Sequence, residues 1–292
     1  MQGALRSAHA AVAARATSAA FVERAISCEV AAACVTAVAT ALVKAPYGRH
    51  DTAAAAWGPR MSAALGWMVM EAVSVWWFLW VYCASAGDAA FAFADARSVL
   101  AVLWLVHYTY RSFIYPVRAY GWPTLAQGPQ TPTMPVLVAV LAAAFNTMNA
   151  FINGAWLGAH AEYAQGHLTS REFAFGTAVW AAGLASNIAC DEMMLAQRAE
   201  ARRGEADRSS RKSKYIIPRG FLFELVSAPN YLSEIVEWTG FATASGSPAA
   251  SAFVVYVCSN LVPRALDHHS WYLATFGTAY PKNRRAIIPF LL

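Results

Sequence analysis

Five stretches of this chain are apolar over the thickness of a lipid bilayer. A helix needs about 20 largely apolar residues to cross the hydrocarbon core, and residues 25–43, 61–83, 98–116, 134–158 and 173–195 each supply such a run. Two shorter runs, 231–244 and 247–263, are parted by Gly246-Ser247-Pro248, which reads as a turn. The expected fold is therefore an all-α integral membrane protein with seven transmembrane helices. Composition agrees, because 58% of the 292 residues are hydrophobic and 13% are charged, about half the charge of a soluble domain. A soluble enzyme and an intrinsically disordered chain are excluded on that ground. Cys28, Cys34, Cys83, Cys190 and Cys258 are scattered and odd in number, which excludes a secreted disulfide scaffold.

Positive residues favour the cytosolic side of a membrane. With the N-terminus outside, 16 of the 22 Lys and Arg fall in the cytosolic connections and the C-terminal tail, and five fall opposite. An odd number of spans and this orientation support each other. The net charge of +5 then reports topology and an anionic ligand, with no nucleic-acid motif in view. Residues 1–24 are Ala-rich, with Arg6, Arg15 and Arg24 and no acid before Glu23. They read as an amphipathic arm or a targeting segment ahead of a single membrane domain at 25–292.

Charged side chains inside spans are costly and mark candidate functional positions. Glu71 lies in the middle of the second span, as a site residue or as a helix-to-helix hydrogen-bonding group. In the third, Tyr108, Arg111 and Tyr115 share a helical face by their i, i+3, i+7 spacing, which suits a phosphate or carbonyl. Arg111 snorkelling to the cytosolic interface is the alternative. Asn187, Asp191 and Arg198 share a face of the fifth span, and Asn230, Glu234 and Glu237 one stripe of the sixth. Two carboxylates on one membrane stripe call for amide, hydroxyl or Arg partners. The seven His, at 8, 50, 107, 160, 167, 268 and 269, form no HxxxH or HxxHH pair, so no metal is expected. The soluble nucleotide-binding motifs GxGxxG and the Walker loop are absent.

The stretch from Tyr215 to the terminus, YIIPRGFLFELVSAPNYLSEIVEWTGFATAS continuing through LVPRALDHHSWYLATFGTAYPKNRRAIIPFLL, resembles the steroid 5α-reductase family. Tyr47-Gly-Arg-His50, Glu71 after its aromatic lead, and HYTYRSFIYP from His107 extend the resemblance over most of the chain, with 215–292 the most family-like part. It implies a seven-helix enzyme of the endoplasmic reticulum, C-terminus cytosolic, whose helices enclose a pocket for NADPH and a steroid or sterol-like enone. The activity implied is reduction of the Δ4 double bond of a 3-oxo steroid. By matched motif, Glu71 and Tyr108 would contact the 3-oxo group. Arg111, Tyr115, Asn187, Asp191, Arg198, Tyr215, Asn230, Glu234, Arg264, His268 and Tyr272 would surround the cofactor, with Glu237 and Trp238 supporting that wall. The alternative readings are a polyprenol or very-long-chain enoyl-CoA reductase, an isoprenylcysteine-type methyltransferase, and a lipid-binding or transport protein.

Overall fold

The computed structural model describes residues 17–43, 57–92, 95–122, 132–206 and 215–292. The Tyr47–His50 motif and most of the basic loop after residue 206 lie outside the described residues. The described chain is mostly helical: α1 (Ala19–Leu42), α2 (Ala63–Ala86), α3 (Ala96–Thr109), α4 (Tyr115–Tyr120), α5 (Val136–Ala155), α6 (Arg171–Ala206), α7 (Pro229–Ser245) and α8 (Pro248–Phe276). A π-helical turn, Tyr110–Ile114, joins α3 to α4, so that seven helical rods result. Five helical segments are long and apolar enough to cross a membrane: Ala19–Leu42, Ala63–Ala86, Val136–His160, Arg171–Ala201 and Pro248–Ala279. The protein is a multi-pass membrane protein.

Several boundaries differ from the sequence expectation. The third expected span is not one α-helix, since α3 has 14 residues before the π turn begins. Pro116 accounts for the break, because proline has no N–H to donate back along the helix and its ring crowds the preceding turn. Conversely the stretch expected to stop at residue 263 runs on to Phe276 through Pro263, which membrane helices tolerate when their neighbours meet the freed carbonyl. Arg264 is therefore a helix residue rather than a tail residue, and α1 takes in Glu23 and Arg24 from the expected arm. The all-α expectation also misses a short antiparallel ladder, β1 (Arg60–Ser62) with β2 (Thr133–Pro135), in the register Arg60↔Pro135. Each strand leads directly into a helix; Gly66 near the start of α2 meets Met134 just before α5, and Gly154 near the end of α5 meets Val81 near the end of α2, so the two helices run parallel.

Turn chemistry sets the ends of the last two helices. Gly246 closes α7 at φ 57°, a left-handed conformation that glycine adopts without a side-chain clash. Ser247 then caps α8, its hydroxyl accepting from the Ala250 N–H at 3.1 Å, with Pro248 in the first turn. Asp95 caps α3 in the same way through the Arg97 N–H at 2.9 Å.

Helices approach closely where they carry small residues, as expected without a hydrophobic driving force between apolar surfaces in lipid. A Cβ on Gly158, in the π-helical turn Trp156–His160 that continues α5, would lie 2.7 Å from the Ser85 Cβ on α2. The α6–α7 pair is closer still. A Cβ on Gly183 would lie 2.7 Å from the Glu237 Cβ, and one on Gly240 would lie 2.8 Å from the Trp180 Cα. The interior beside this pair is filled by aromatic rings, with Trp104 packed against Phe78 at 4.9 Å, Tyr108 at 4.8 Å and Trp238 at 5.3 Å.

Gly183→Val forces two backbones apart and is expected to destabilise the protein by about 1–3 kcal/mol, the usual cost of overpacking. Thermal unfolding in detergent or nanodiscs measures it, and an unchanged midpoint would mean that α6 and α7 are not held together at this glycine.

Candidate active site

The intramembrane charges identified from sequence converge on Arg111. This guanidinium is 14% exposed and its Nη1 lies 3.2 Å from Asp191 Oδ2. The Tyr115 ring centre is 4.6 Å and the Trp67 ring centre 5.3 Å from its Cζ. The carboxylates of Glu234, Asp191 and Glu71 all act electrostatically on it. Paired and enclosed, Arg111 is not a side chain snorkelling to the interface. The π turn that carries it is a common device for re-aiming side chains at functional positions.

Asp191 Oδ1 accepts from Asn230 Nδ2 at 3.4 Å, and the Asn230 carbonyl accepts from Asn187 Nδ2 at 3.4 Å. The π turn, α6 and α7 are thereby joined through one polar chain. The shared face expected for Asn187, Asp191 and Arg198 is kept, but only the first two are buried; Arg198 is exposed, and its charge still reaches Asp191 and Tyr115.

Glu71 Oε2 accepts from Asn146 Nδ2 at 3.3 Å, and the same amide also donates to the Met70 carbonyl at 2.7 Å. Tyr108 is buried against Trp104 and, at 5.6 Å, against Trp238. The charges of Glu71 and Glu234 both act on its phenol.

The partner of Glu237 is His107, whose Nδ1 lies 2.6 Å from Glu237 Oε1 with both side chains essentially inaccessible. The sequence stripe calls for a partner without identifying this one. His107 also meets the Tyr108 ring at 4.9 Å and the Trp238 ring at 4.5 Å, which fixes the phenol from behind. Its adjacency to Tyr108 in the chain is the only local signal of its role, and for Asn146 that signal is a lone amide in an apolar span.

The remaining candidates form a second group toward the C-terminal end of α8. Tyr231, next to Asn230, packs on His268 at 5.4 Å; Tyr215 packs on Trp271 at 4.9 Å; Tyr272 packs on Trp271 at 5.3 Å and on Tyr280 at 5.1 Å. Arg264 lies on α8 and its charge reaches Tyr256. Below this group the C-terminal tail pairs with residues 225–228, Ser227 N–H donating to the Arg285 carbonyl at 2.8 Å and Arg285 N–H to the Leu225 carbonyl at 2.9 Å. Arg284, a tail charge by sequence, is buried, donates to the Pro218 carbonyl at 3.0 Å and lies over the Tyr280 ring. In the same loop Glu224 accepts from the Gly220 N–H at 2.6 Å and lies 3.7 Å from both Arg219 and Arg284. The Gly220 N–H and, after it, the two guanidinium groups hold the Glu224 carboxyl below its ordinary value.

The family model for 3-oxo-5-alpha-steroid 4-dehydrogenase matches residues 132–292. Steroid 5-alpha-reductase DET2 of Arabidopsis thaliana is 36% identical over 259 residues, covering 88% of this chain and 91% of that protein. DET2 of Solanum lycopersicum is 37% identical, covering 84% and 87%. 3-Oxo-5-alpha-steroid 4-dehydrogenase 1 of Rattus norvegicus is 36% identical, covering 86% and 87%. The chain belongs to the steroid 5α-reductase family.

His107→Leu strands a fully buried carboxyl and should cost about 3–5 kcal/mol, whereas His107→Leu combined with Glu237→Leu should cost much less; thermal unfolding of the three variants decides whether the pair acts as a unit. Glu224 binds its proton less readily folded than unfolded, so its contribution is full above the ordinary value of 4.5 and is lost as pH falls through the folded value. Glu224→Gln should flatten the acid limb of a stability–pH curve below that value by about 1 kcal/mol or less, since the carboxyl is half exposed.

Proposed function

We propose that this chain, as a member of that family, is an oxidoreductase that reduces the Δ4 carbon–carbon double bond of a 3-oxo steroid, with NADPH as reductant. The observation that carries the assignment of the site is the convergence of Glu71 and Tyr108 on one interior with Arg111, Asp191 and Glu234. In this reading the seven helical rods all span the membrane of the endoplasmic reticulum, the C-terminus is cytosolic, and residues 25–292 form one domain around the pocket.

Reduction at the β-carbon of an enone drives negative charge onto the carbonyl oxygen, so donors must already be aimed at that oxygen. Tyr108 donates its phenolic proton, held in place by the rings of Trp104, Trp238 and His107. Glu71 donates in its protonated form, and the Asn146 amide on Oε2 leaves the other oxygen to face the substrate. The rings around them exclude water from the carbonyl.

The residues present fit a dinucleotide with its charged and uncharged parts in different places. Arg111 is already matched by carboxylates, so the groups beside it suit hydroxyls and a carboxamide, which Asp191, Asn187, Asn230 and Glu234 can bind. Arg198, which is exposed, and Arg264, half-buried on α8, suit phosphates. Tyr115, Tyr215, His268 and Tyr272 add flat surfaces on which rings stack. NADPH, when bound, would supply the hydride for the β-carbon, and the α-carbon takes the balancing proton from solvent or a nearby acid.

Membranes carrying the protein should oxidise NADPH with testosterone or progesterone and give the 5α-reduced steroid. Glu71→Gln and Tyr108→Phe should each lower kcat/KM by about 10²–10³, the usual loss for one oxyanion donor. Full activity in both variants would remove them from carbonyl polarisation; a wild type inert toward every 3-oxo-Δ4 steroid would remove the activity.

A further inference from the structure

Glu29 takes no part in the carbonyl or cofactor chemistry. It is fully buried on α1, and neither carboxyl oxygen has a hydrogen-bond partner among the described residues. The other buried carboxyl groups each have a partner, Asp191 in Arg111 and Glu237, through one of its two oxygens, in His107. Buried polar groups in folded proteins are nearly always hydrogen-bonded, so one with both oxygens unmatched points to a partner that the chain does not supply. Position reinforces this. The buried residues of α1 are Val22, Glu29 and Ala33, an inward stripe on a helix otherwise largely open to lipid, whereas Glu23 is exposed. The stripe faces α8 and α5.

A run of packed aromatic rings leads from the α8 residue Tyr256, near Glu29, to Tyr108. The Glu29 carboxyl acts electrostatically on both Tyr108 and Tyr256. Between those two tyrosines runs a wall of rings: Tyr256 stacks on Phe145 at 3.4 Å, Phe145 packs on Phe253 at 6.2 Å, Phe253 on Trp238 at 4.7 Å, and Trp238 on Tyr108 at 5.6 Å. A ring-lined wall with hydrogen-bonding groups near its two ends matches a rigid, fused-ring hydrocarbon that carries oxygen at both ends.

We propose that Glu29 hydrogen-bonds an oxygen substituent at the D-ring end of the steroid, and that it makes this chain selective for 3-oxo-Δ4 steroids oxygenated there. The inference rests on the reading that the 3-oxo group meets Glu71 and Tyr108. The carboxyl, with one donor and further acceptor capacity when neutral, can serve a hydroxyl or a carbonyl. A hydrocarbon at the same place would leave Glu29 unmatched, which penalises the wrong substrate more than a missing contact would.

The test uses testosterone and androst-4-en-3-one, which share a skeleton and differ by the 17-hydroxyl, with the full-length protein in nanodiscs. Wild type should show a KM about tenfold lower for testosterone, the size of one buried hydrogen bond. Glu29→Leu should abolish that preference by raising the testosterone KM, leaving kcat for both steroids within about twofold; Glu29→Gln, which keeps a donor and an acceptor, should retain most of it. Equal KM values for the two steroids in wild type would overturn the proposal without any variant having to fold. So would an equal rise for both steroids in Glu29→Leu, which marks a packing role. Thermal stabilisation by each steroid provides a readout independent of turnover. If testosterone stabilises wild type but not Glu29→Leu while neither steroid is reduced, the Glu29 assignment stands and the reductase reading falls. If testosterone stabilises both alike, the Glu29 assignment falls and the reductase reading is untouched.

Discussion

A guanidinium inside a membrane domain persists only where opposite charge and polarisable rings replace the water it has lost. Arg111 meets that condition by drawing four rods together. Asp191 from α6 supplies the paired carboxylate, and Asn230 from α7 supports that carboxylate in turn. Trp67 from α2 and Tyr115 beyond the π turn supply the rings. Because the cation is shared, Glu71 and Glu234 can also approach it without each needing a cation of its own. The arrangement explains how a chain with so few charges collects several of them in one interior.

The same arrangement divides the proposed cofactor site by charge. Near Arg111 carboxylates outnumber cations, so the inner part favours neutral donors such as ribose hydroxyls over phosphate. Arg198 is exposed toward the end of α6 that leads into the basic loop. In the proposed orientation that end is cytosolic, the side from which a soluble dinucleotide arrives. The polarity gradient along α6 thus matches an anionic ligand that enters at its cytosolic end.

The long apolar runs, the Gly246–Pro248 turn and the polar faces of α6 and α7 are legible in the sequence because each is a local pattern with a fixed period or a fixed backbone requirement. The features that are not legible depend on tertiary packing. The i, i+3, i+7 reading of Tyr108, Arg111 and Tyr115 assumes a regular helix, and the π turn that Pro116 accompanies alters the register within it. His107 and Glu237 are 130 positions apart, and nothing local joins them. Arg284 reads as one more cytosolic cation until the tail folds back and buries it against Pro218 and Tyr280. The last helix reads as short because Pro263 looks like a stop, whereas a membrane helix can absorb a proline.

The close approach of α6 and α7 decides where Glu237 points. Gly183 brings the α6 backbone against the Cβ of Glu237, and Gly240 does the same for Trp180 one turn away. No space remains on that side for a carboxyl, so the side chain extends across the bundle to α3, where His107 meets it. Trp238, the next residue, is carried with it onto His107 and Tyr108. Two glycines that bear no chemistry thereby set the position of the phenol that, in the proposed mechanism, donates to the substrate. Precision at the carbonyl is then a property of helix spacing, since a few tenths of an ångström between α6 and α7 is passed directly to the rings that hold Tyr108.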